Sequence, residues 1–329
     1  MSSHPVIVIG AGIIGASIGY HLATRGADVT LVDAGLPGSG VTRHSFGWMG
    51  RAPGDLSAAG ELRALGRDHW ARLARQVPGL AVHWSGALVW GEDFASIPTR
   101  SGQAATREPQ LTSPPVCSEF RPDDGWLNPA LATERLISAA REAGASVRLG
   151  SPVTRLIRSA DGSIAGVELG SESLPASTAV VAAGIGSTAL CATVGVSLPM
   201  ASSPAVMVRL RAPSGLVQGI VANDLFEARQ DADGTVLMPL DYDKESSTAE
   251  LMRAGEMARR LFMESFNGAE ETTLLSAEIG WRPMTADGEP AVGYSDVPGL
   301  YIAVAHPGIT LAAVIGDAAT EEILNRMLG

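Results

Sequence analysis

The chain opens on an apolar run, Val6–Ile9, followed at once by Gly10-Ala11-Gly12-Ile13-Ile14-Gly15. A run so short and so uniformly apolar predicts a parallel strand buried on both faces. Ala16–Thr24 continues as a helix with Ile18, Leu22 and Ala23 on one side, and Gly26 ends it. Val29–Val32 repeats the buried-strand pattern and closes on Asp33. Each glycine has a mechanical purpose: Gly10 turns the chain off the strand, Gly12 brings backbone against a pyrophosphate, and Gly15 lets helix and strand pack closely. The helix N-terminus presents N–H groups and a partial positive charge to phosphates. Asp33 stands where an acid accepts the ribose hydroxyls of an adenine dinucleotide.

Beyond Asp33 the pattern departs from a simple repeat. Residues 35–48 form a loop rich in glycine and hydroxyl side chains rather than a third βα unit. Leu56–Val77 predicts a long helix through Leu62, Leu65, His69, Leu73 and Val77. Trp84–Trp90 is a short strand, and residues 95 to 125, rich in Pro, Ser, Thr and Gly, read as a connection. Asn128-Pro129 caps a helix carrying Leu131, Leu136, Ile137 and Ala140 inward and ending at Gly144. Strands follow at Ser146–Leu149, Val153–Ile157, Ile164–Leu169 and Thr178–Ala183. Residues 204–240 alternate as antiparallel strands around an Asp233-Gly234 turn, and Ala249–Asn267 is helical. Leu300–Ala305 is a last strand, leading into a helix over Ile309–Met327. The expectation is an α/β protein: a Rossmann-like dinucleotide-binding domain over 1–83, 126–200 and 280–329, interleaved with a mostly antiparallel α+β substrate domain over 84–125 and 201–279.

Composition narrows the partners. The formal net charge is −11, and no Lys/Arg run offers a surface for nucleic acid or anionic lipid. No apolar stretch reaches membrane-spanning length, and the first strand begins too early for a cleavable leader, so a cytoplasmic location is expected. Cys117 and Cys191 form no metal-binding or redox pair and are expected as free thiols.

Further motifs carry a resemblance. They include Gly38-Ser39-Gly40, Trp84-Ser85-Gly86-Ala87-Leu88, Glu108-Pro109, Gly125-Trp126-Leu127-Asn128-Pro129 and Val180-Val181-Ala182-Ala183-Gly184. Near the end stand Gly280-Trp281-Arg282-Pro283, Asp287-Gly288-Glu289-Pro290 and His306-Pro307-Gly308-Ile309-Thr310. Together with the N-terminal unit, these make the chain resemble the flavoprotein family of D-amino-acid oxidase, glycine oxidase and sarcosine oxidase over nearly its whole length. It is shorter than most members, and Gly186 stands where many have a bulky aromatic residue.

The resemblance implies FAD as cofactor and oxidation of a C–N bond next to a carboxylate, by hydride transfer to flavin N5, to an imine that hydrolyses. It implies FAD contacts from Gly10, Gly12, Ile13, Ile14, Gly15, Asp33, Ser39, Thr42, Arg43, His44, Val153, Gly184, Gly308, Ile309 and Thr310. His44 aligns with a position that is covalently linked to flavin in some members; a non-covalent contact is expected here. Arg282 is the candidate grip on the substrate carboxylate, its planar fork matching the anion; the alternative is a structural pair with Asp287 or Glu289. His306 could face the substrate, and Trp48, Tyr242 and Trp281 could line the pocket. Lys244, the only lysine, is given no part in oxygen reactivity, so the electron acceptor is oxygen or an electron-transfer partner. A small carboxylate-bearing amine is the expected substrate, with no general base evident. The alternatives are oxidation of a 2-hydroxy acid, which needs a base, and a non-catalytic flavin subunit of a larger complex.

Overall fold

The computed structural model describes residues 5–50, 58–92, 100–101, 103–242 and 247–328. Its centre is a six-stranded sheet in the spatial order Ala291–Tyr294, Leu300–Val304, Thr178–Val181, Val6–Ile9, Val29–Val32, Ser146–Arg148. Val6–Ile9 pairs in parallel with Val29–Val32 on one side and Thr178–Val181 on the other. The edge strand Ala291–Tyr294 runs antiparallel to Leu300–Val304. Both faces are covered, which is why these strands read as unbroken apolar runs. Val6 and Val8 pack with Ile18, Leu22, Trp70 and Leu311 from the helices. Ile7 and Ile9 point the other way, toward Leu156, Val167 and Leu190. There a small antiparallel sheet of Arg155–Arg158, Ile164–Leu169 and Glu172–Pro175 closes the second face.

A second sheet has eight strands. In order they are Thr273–Thr285, Met200–Arg211, Thr235–Asp241, Glu227–Gln230, Ile220–Ala222, Ala87–Val89, Cys117–Arg121 and Arg100–Ser101. Alternation along each strand divides its residues between two environments. Val206, Val208, Val236, Met238 and Ala228 pack against Ala258 and Phe262 of the helix Thr248–Ser265. Met207, Leu237 and Ile220 face the other way, toward Phe46 and Trp126. A capping box starts that helix, with Ser247 and Glu250 exchanging hydrogen bonds. The fold is thus the expected mixture of a mainly parallel sheet and a mainly antiparallel one.

Several local expectations need correction. The stretch 95–125 is more than a connection: residues 93–99 and 102 lie outside the described residues, but Cys117–Arg121 is an integral strand of the large sheet, paired with Ala87–Val89. Glu108 in the same stretch is buried and accepts from the backbone N–H groups of Gln218 at 2.9 Å and Gly219 at 2.8 Å. Leu131 is 39% exposed, whereas Leu136, Ile137 and Ala140 are buried. It lies about 140° around the helix from Leu136, outside the buried arc. In the helix Ala58–Gln76, Leu65 is half exposed and Trp70 takes the fully buried place. The Trp70 indole donates to Ile309 O at 2.9 Å. The 13-residue strand Thr273–Thr285 contains Pro283, which sequence rules confine to edges. The strand is indeed the edge of its sheet, where a missing N–H costs no ladder bond.

Candidate active site

Where the sheets meet, the carboxyl ends of Val6–Ile9, Val29–Val32 and Thr178–Val181 open onto a cavity of about 980 Å³. Ligands of open parallel sheets bind at this place. Its first part is built by the N-terminal unit. Gly10 has φ +110°, and a Cβ there would lie 2.4 Å from Ala182 O. A Cβ on Gly15 would meet Gly10 O at 1.9 Å, so the helix can approach the strand only with glycine at that position. Gly12 opens the helix without a side-chain cap. Thr42, from a short helical turn at Val41–His44, supplies one instead: its Oγ1 accepts from Ile13 N at 3.2 Å. Asp33 holds the next loop, accepting from Ala11 N and Gly35 N at 2.6 Å each.

The second part lies under the large sheet. Arg282 projects from the Thr273–Thr285 strand; its Nη2 donates to Ser203 Oγ at 2.9 Å and Pro204 O at 3.3 Å. Asp241, almost wholly exposed, lies 3.6 Å away. The Arg282 Nε is buried and has no hydrogen-bond partner among the described residues. Asp287 makes no ion pair with Arg282; its carboxylate accepts from Glu289 N at 3.1 Å, closing a turn. His306 stands at the end of Leu300–Val304, just before the helix Gly308–Leu328. Burial, with Arg282 and Arg63 adding to it, pushes the His306 pKa down to about 4, so the ring is neutral at physiological pH.

Of the residues singled out from sequence, the cavity brings together Gly10, Gly12, Ile13, Ile14, Asp33, Ser39, Thr42, His44, Val153, Gly184, Arg282, His306, Gly308 and Ile309. Trp48 and Trp281 also line it. Three others lie off the lining. Gly15 sits behind, against Gly10. Arg43 is exposed, and its carbonyl accepts from Arg209. Thr310 is buried, and its hydroxyl donates to Trp48 O at 3.2 Å. Tyr242 is not among the lining residues, and Lys244 lies outside the described residues. His44 Nδ1 is buried without a hydrogen bond, 3.9 Å from Glu278 Oε2. Burial depresses its pKa, opposed by Glu278 and assisted by Arg209 and Arg43. Gly280 allows this proximity: a Cβ on it would come within 2.8 Å of His44 Cβ. Arg229, another arginine of the large sheet, is fully buried and committed to Phe46 O and Asp231 at 2.5 Å each. Both cysteines are unpaired. Among the described residues no group of acids, histidines and cysteines is arranged to hold a metal, and no helix is long and apolar enough to cross a membrane.

Sequence reasoning missed Glu227. It lines the cavity, and burial together with Asp241 pushes its pKa up to about 7. Only strand register, in which Arg229 two residues further along the same strand pairs with Leu237, shows which way it faces.

The N-termini of two helices, Ile13–Thr24 and Gly308–Leu328, border this one cavity, as does an acid at the end of the second parallel strand. The class so defined is a dinucleotide-binding α/β protein with a strand-lined second compartment. Residues 5–322 match the FAD dependent oxidoreductase family DAO, and the chain belongs to that family. The glycine cradle, the cavity volume and the bordering helix termini fit FAD. Among relatives, 4-methylaminobutanoate oxidase (formaldehyde-forming) of Paenarthrobacter nicotinovorans is 29% identical over 233 residues, covering 64% of this chain and 28% of that one. The chain therefore spans well under two thirds of that relative. Glycine oxidase of Geobacillus kaustophilus is 25% identical over 351 residues, covering 95% of this chain and 91% of that one. The crystal structure of the Geobacillus kaustophilus glycine oxidase superposes with a TM-score of 0.85 at 24% identity, covering 98% of this chain and 95% of that one. L-proline dehydrogenase from P. horikoshii gives 0.84 at 21% identity, covering 98% and 94%. At these identities the structural likeness is one of fold.

Proposed function

We propose that the protein oxidises the C–N bond of an amino acid or N-alkyl amino acid, giving an imine that hydrolyses. The observation that carries this reading is Arg282: a cavity-lining guanidinium whose Nε is buried and unpartnered. A half-buried cation with an unused, buried donor is a site for an anion, and a planar fork selects a carboxylate. Its present partners, a hydroxyl, a carbonyl and an exposed carboxylate at 3.6 Å, leave capacity for a ligand. Bound FAD supplies the two-electron acceptor for the hydride that leaves the carbon beside nitrogen. Asp33, Thr42 and the glycines Gly10 and Gly12 hold the cofactor's phosphate and ribose portion in this reading. Arg282 fixes the carboxylate and so orients the C–H bond. The amine enters in its neutral form, its lone pair free to assist hydride departure, and His306, neutral at physiological pH, adds no charge beside it. The relatives whose names specify amines, 4-methylaminobutanoate and glycine, support the same class.

A 2-hydroxy acid shares the carboxylate grip but needs a base for its hydroxyl proton, and His306, its pKa lowered to about 4, is too weak a base to favour that second reading. The test is Arg282→Ala and Arg282→Lys in anaerobic stopped-flow reduction of the flavin. Losing charge-assisted pairing worth about 3 kcal/mol raises the half-saturating amine concentration by about two orders of magnitude. Lysine keeps the charge without the fork and recovers only part. An Arg282→Ala protein reduced as fast as wild type at sub-saturating amine would place the carboxylate elsewhere.

A further inference from the structure

Trp70 stands on the helix Ala58–Gln76 and is wholly buried. A buried indole brings an N–H that needs an acceptor. Its Nε1 donates at 2.9 Å to Ile309 O, 239 residues away in the chain. Ile309 belongs to the first turn of the helix Gly308–Leu328, and together with Gly308 it forms part of the cavity wall. A helix carbonyl accepts from the N–H four residues on, and its second lone pair is free for an outside donor. The indole takes that place. Packing alone would be served by a phenyl ring; the N–H is what fixes a distance and a direction.

The same helix meets the next residue as well. Gly66 lies one turn before Trp70, on the same face. A Cβ on Gly66 would come within 2.8 Å of Thr310 O, so the face lies flush against the turn. From the other side, the Thr310 hydroxyl donates to Trp48 O at 3.2 Å. Three contacts thus fall on two consecutive residues, Ile309 and Thr310, at the point where the helix borders the cavity.

We propose that Trp70 is a positioning residue for the cofactor. Through Ile309 O it sets how far the first turn of Gly308–Leu328 reaches into the cavity, and so how strongly that turn favours negative charge on bound FAD. The free N–H groups and partial positive charge of a helix start act over about one turn, so a small retreat is felt. Hydride transfer adds negative charge to the flavin, so the position of the turn bears on the reduced form more than on the oxidised one. The inference rests on the family's cofactor and on the cavity, and it holds whichever substrate is oxidised.

The test is the redox equilibrium of the FAD-loaded protein with a reference dye, read from the absorbance of both. Trp70→Phe keeps most of the packing and has no N–H. It should shift the equilibrium toward oxidised flavin by about threefold to tenfold. Ile323→Ala is the control. Ile323 is fully buried in the same helix, about 22 Å from Gly308, so its truncation should lower the melting temperature and leave the equilibrium unchanged. Gly66→Ala presses a Cβ on Thr310 O and should move the equilibrium too. Trp70→Phe at the wild-type equilibrium, or an equal shift in Ile323→Ala, overturns the proposal. Should Trp70→Phe not retain FAD, Gly66→Ala is read in its place against the same control.

Discussion

Asp33→Ala separates two things that one carboxylate does. In the structure Asp33 accepts from Ala11 N and Gly35 N at 2.6 Å each, which ties the first glycine turn to the loop that follows the second strand. These bonds need no ligand. Charge-assisted bonds of this kind contribute about 1.5–3 kcal/mol apiece, and at a half-exposed site the lower figure applies, so the pair contributes about 3 kcal/mol. The FAD-free protein should therefore melt several degrees lower in Asp33→Ala than in wild type. FAD binding should weaken further, because the ribose loses its acceptor as well. Asp33→Asn keeps an acceptor for one N–H and sets an amide donor against the other, so it should recover only part of both losses. The assay is thermal melting of the FAD-free proteins, followed by fluorescence titration with FAD. Unchanged melting would refute the structural half of this reasoning, and unchanged FAD affinity the ribose half.

Three more outcomes are expected. Gly15→Ala places a Cβ 1.9 Å from Gly10 O, backbone that cannot step aside, so the variant should lose both melting temperature and FAD; normal FAD retention contradicts the close-packing role. His21 and His306 are both pushed from 6.5 down to about 4 by burial, so the unfolded chain takes up protons first as pH falls. Their contribution to stability is complete above pH 6.5 and lost as pH falls toward about 4; His21→Gln should gain on wild type across that window in urea melts, and a constant difference would count against it. Acid precipitation of the holoprotein should release yellow FAD to the supernatant; colour retained in the pellet would point to a covalent link and to His44 for mutation.

The parts of the fold that could be read from sequence are those where one local rule sufficed. The run Val6–Ile9, its glycines and Asp33 specify strand, turn, helix and second strand within residues that are neighbours in the chain. Asn128 was readable as a cap for the same reason, and its Oδ1 accepts from Leu131 N at 3.1 Å. What escaped depends on distant partners. Cys117–Arg121 is a strand because Ala87–Val89 lies beside it, not because of its own pattern. Thr42 caps a helix 29 residues earlier, a role that spacing does not suggest. Glu227 is one of many glutamates until register places it in the cavity. Arg282 came from a motif, but its unpartnered Nε could be seen only once Ser203, Pro204 and Asp241 were in place around it.

The central claim is that an Arg282-anchored amine delivers a hydride in this cavity. It is tested most directly by mixing the FAD-loaded protein anaerobically with matched pairs of amino acids and 2-hydroxy acids, including N-methyl and distal-amine members, and following the flavin absorbance. Bleaching by an amine, with release of ammonia or a primary amine on hydrolysis, and none by its hydroxy counterpart, is the predicted result. Bleaching by hydroxy acids alone, or by dithionite while every amine fails, would contradict the account.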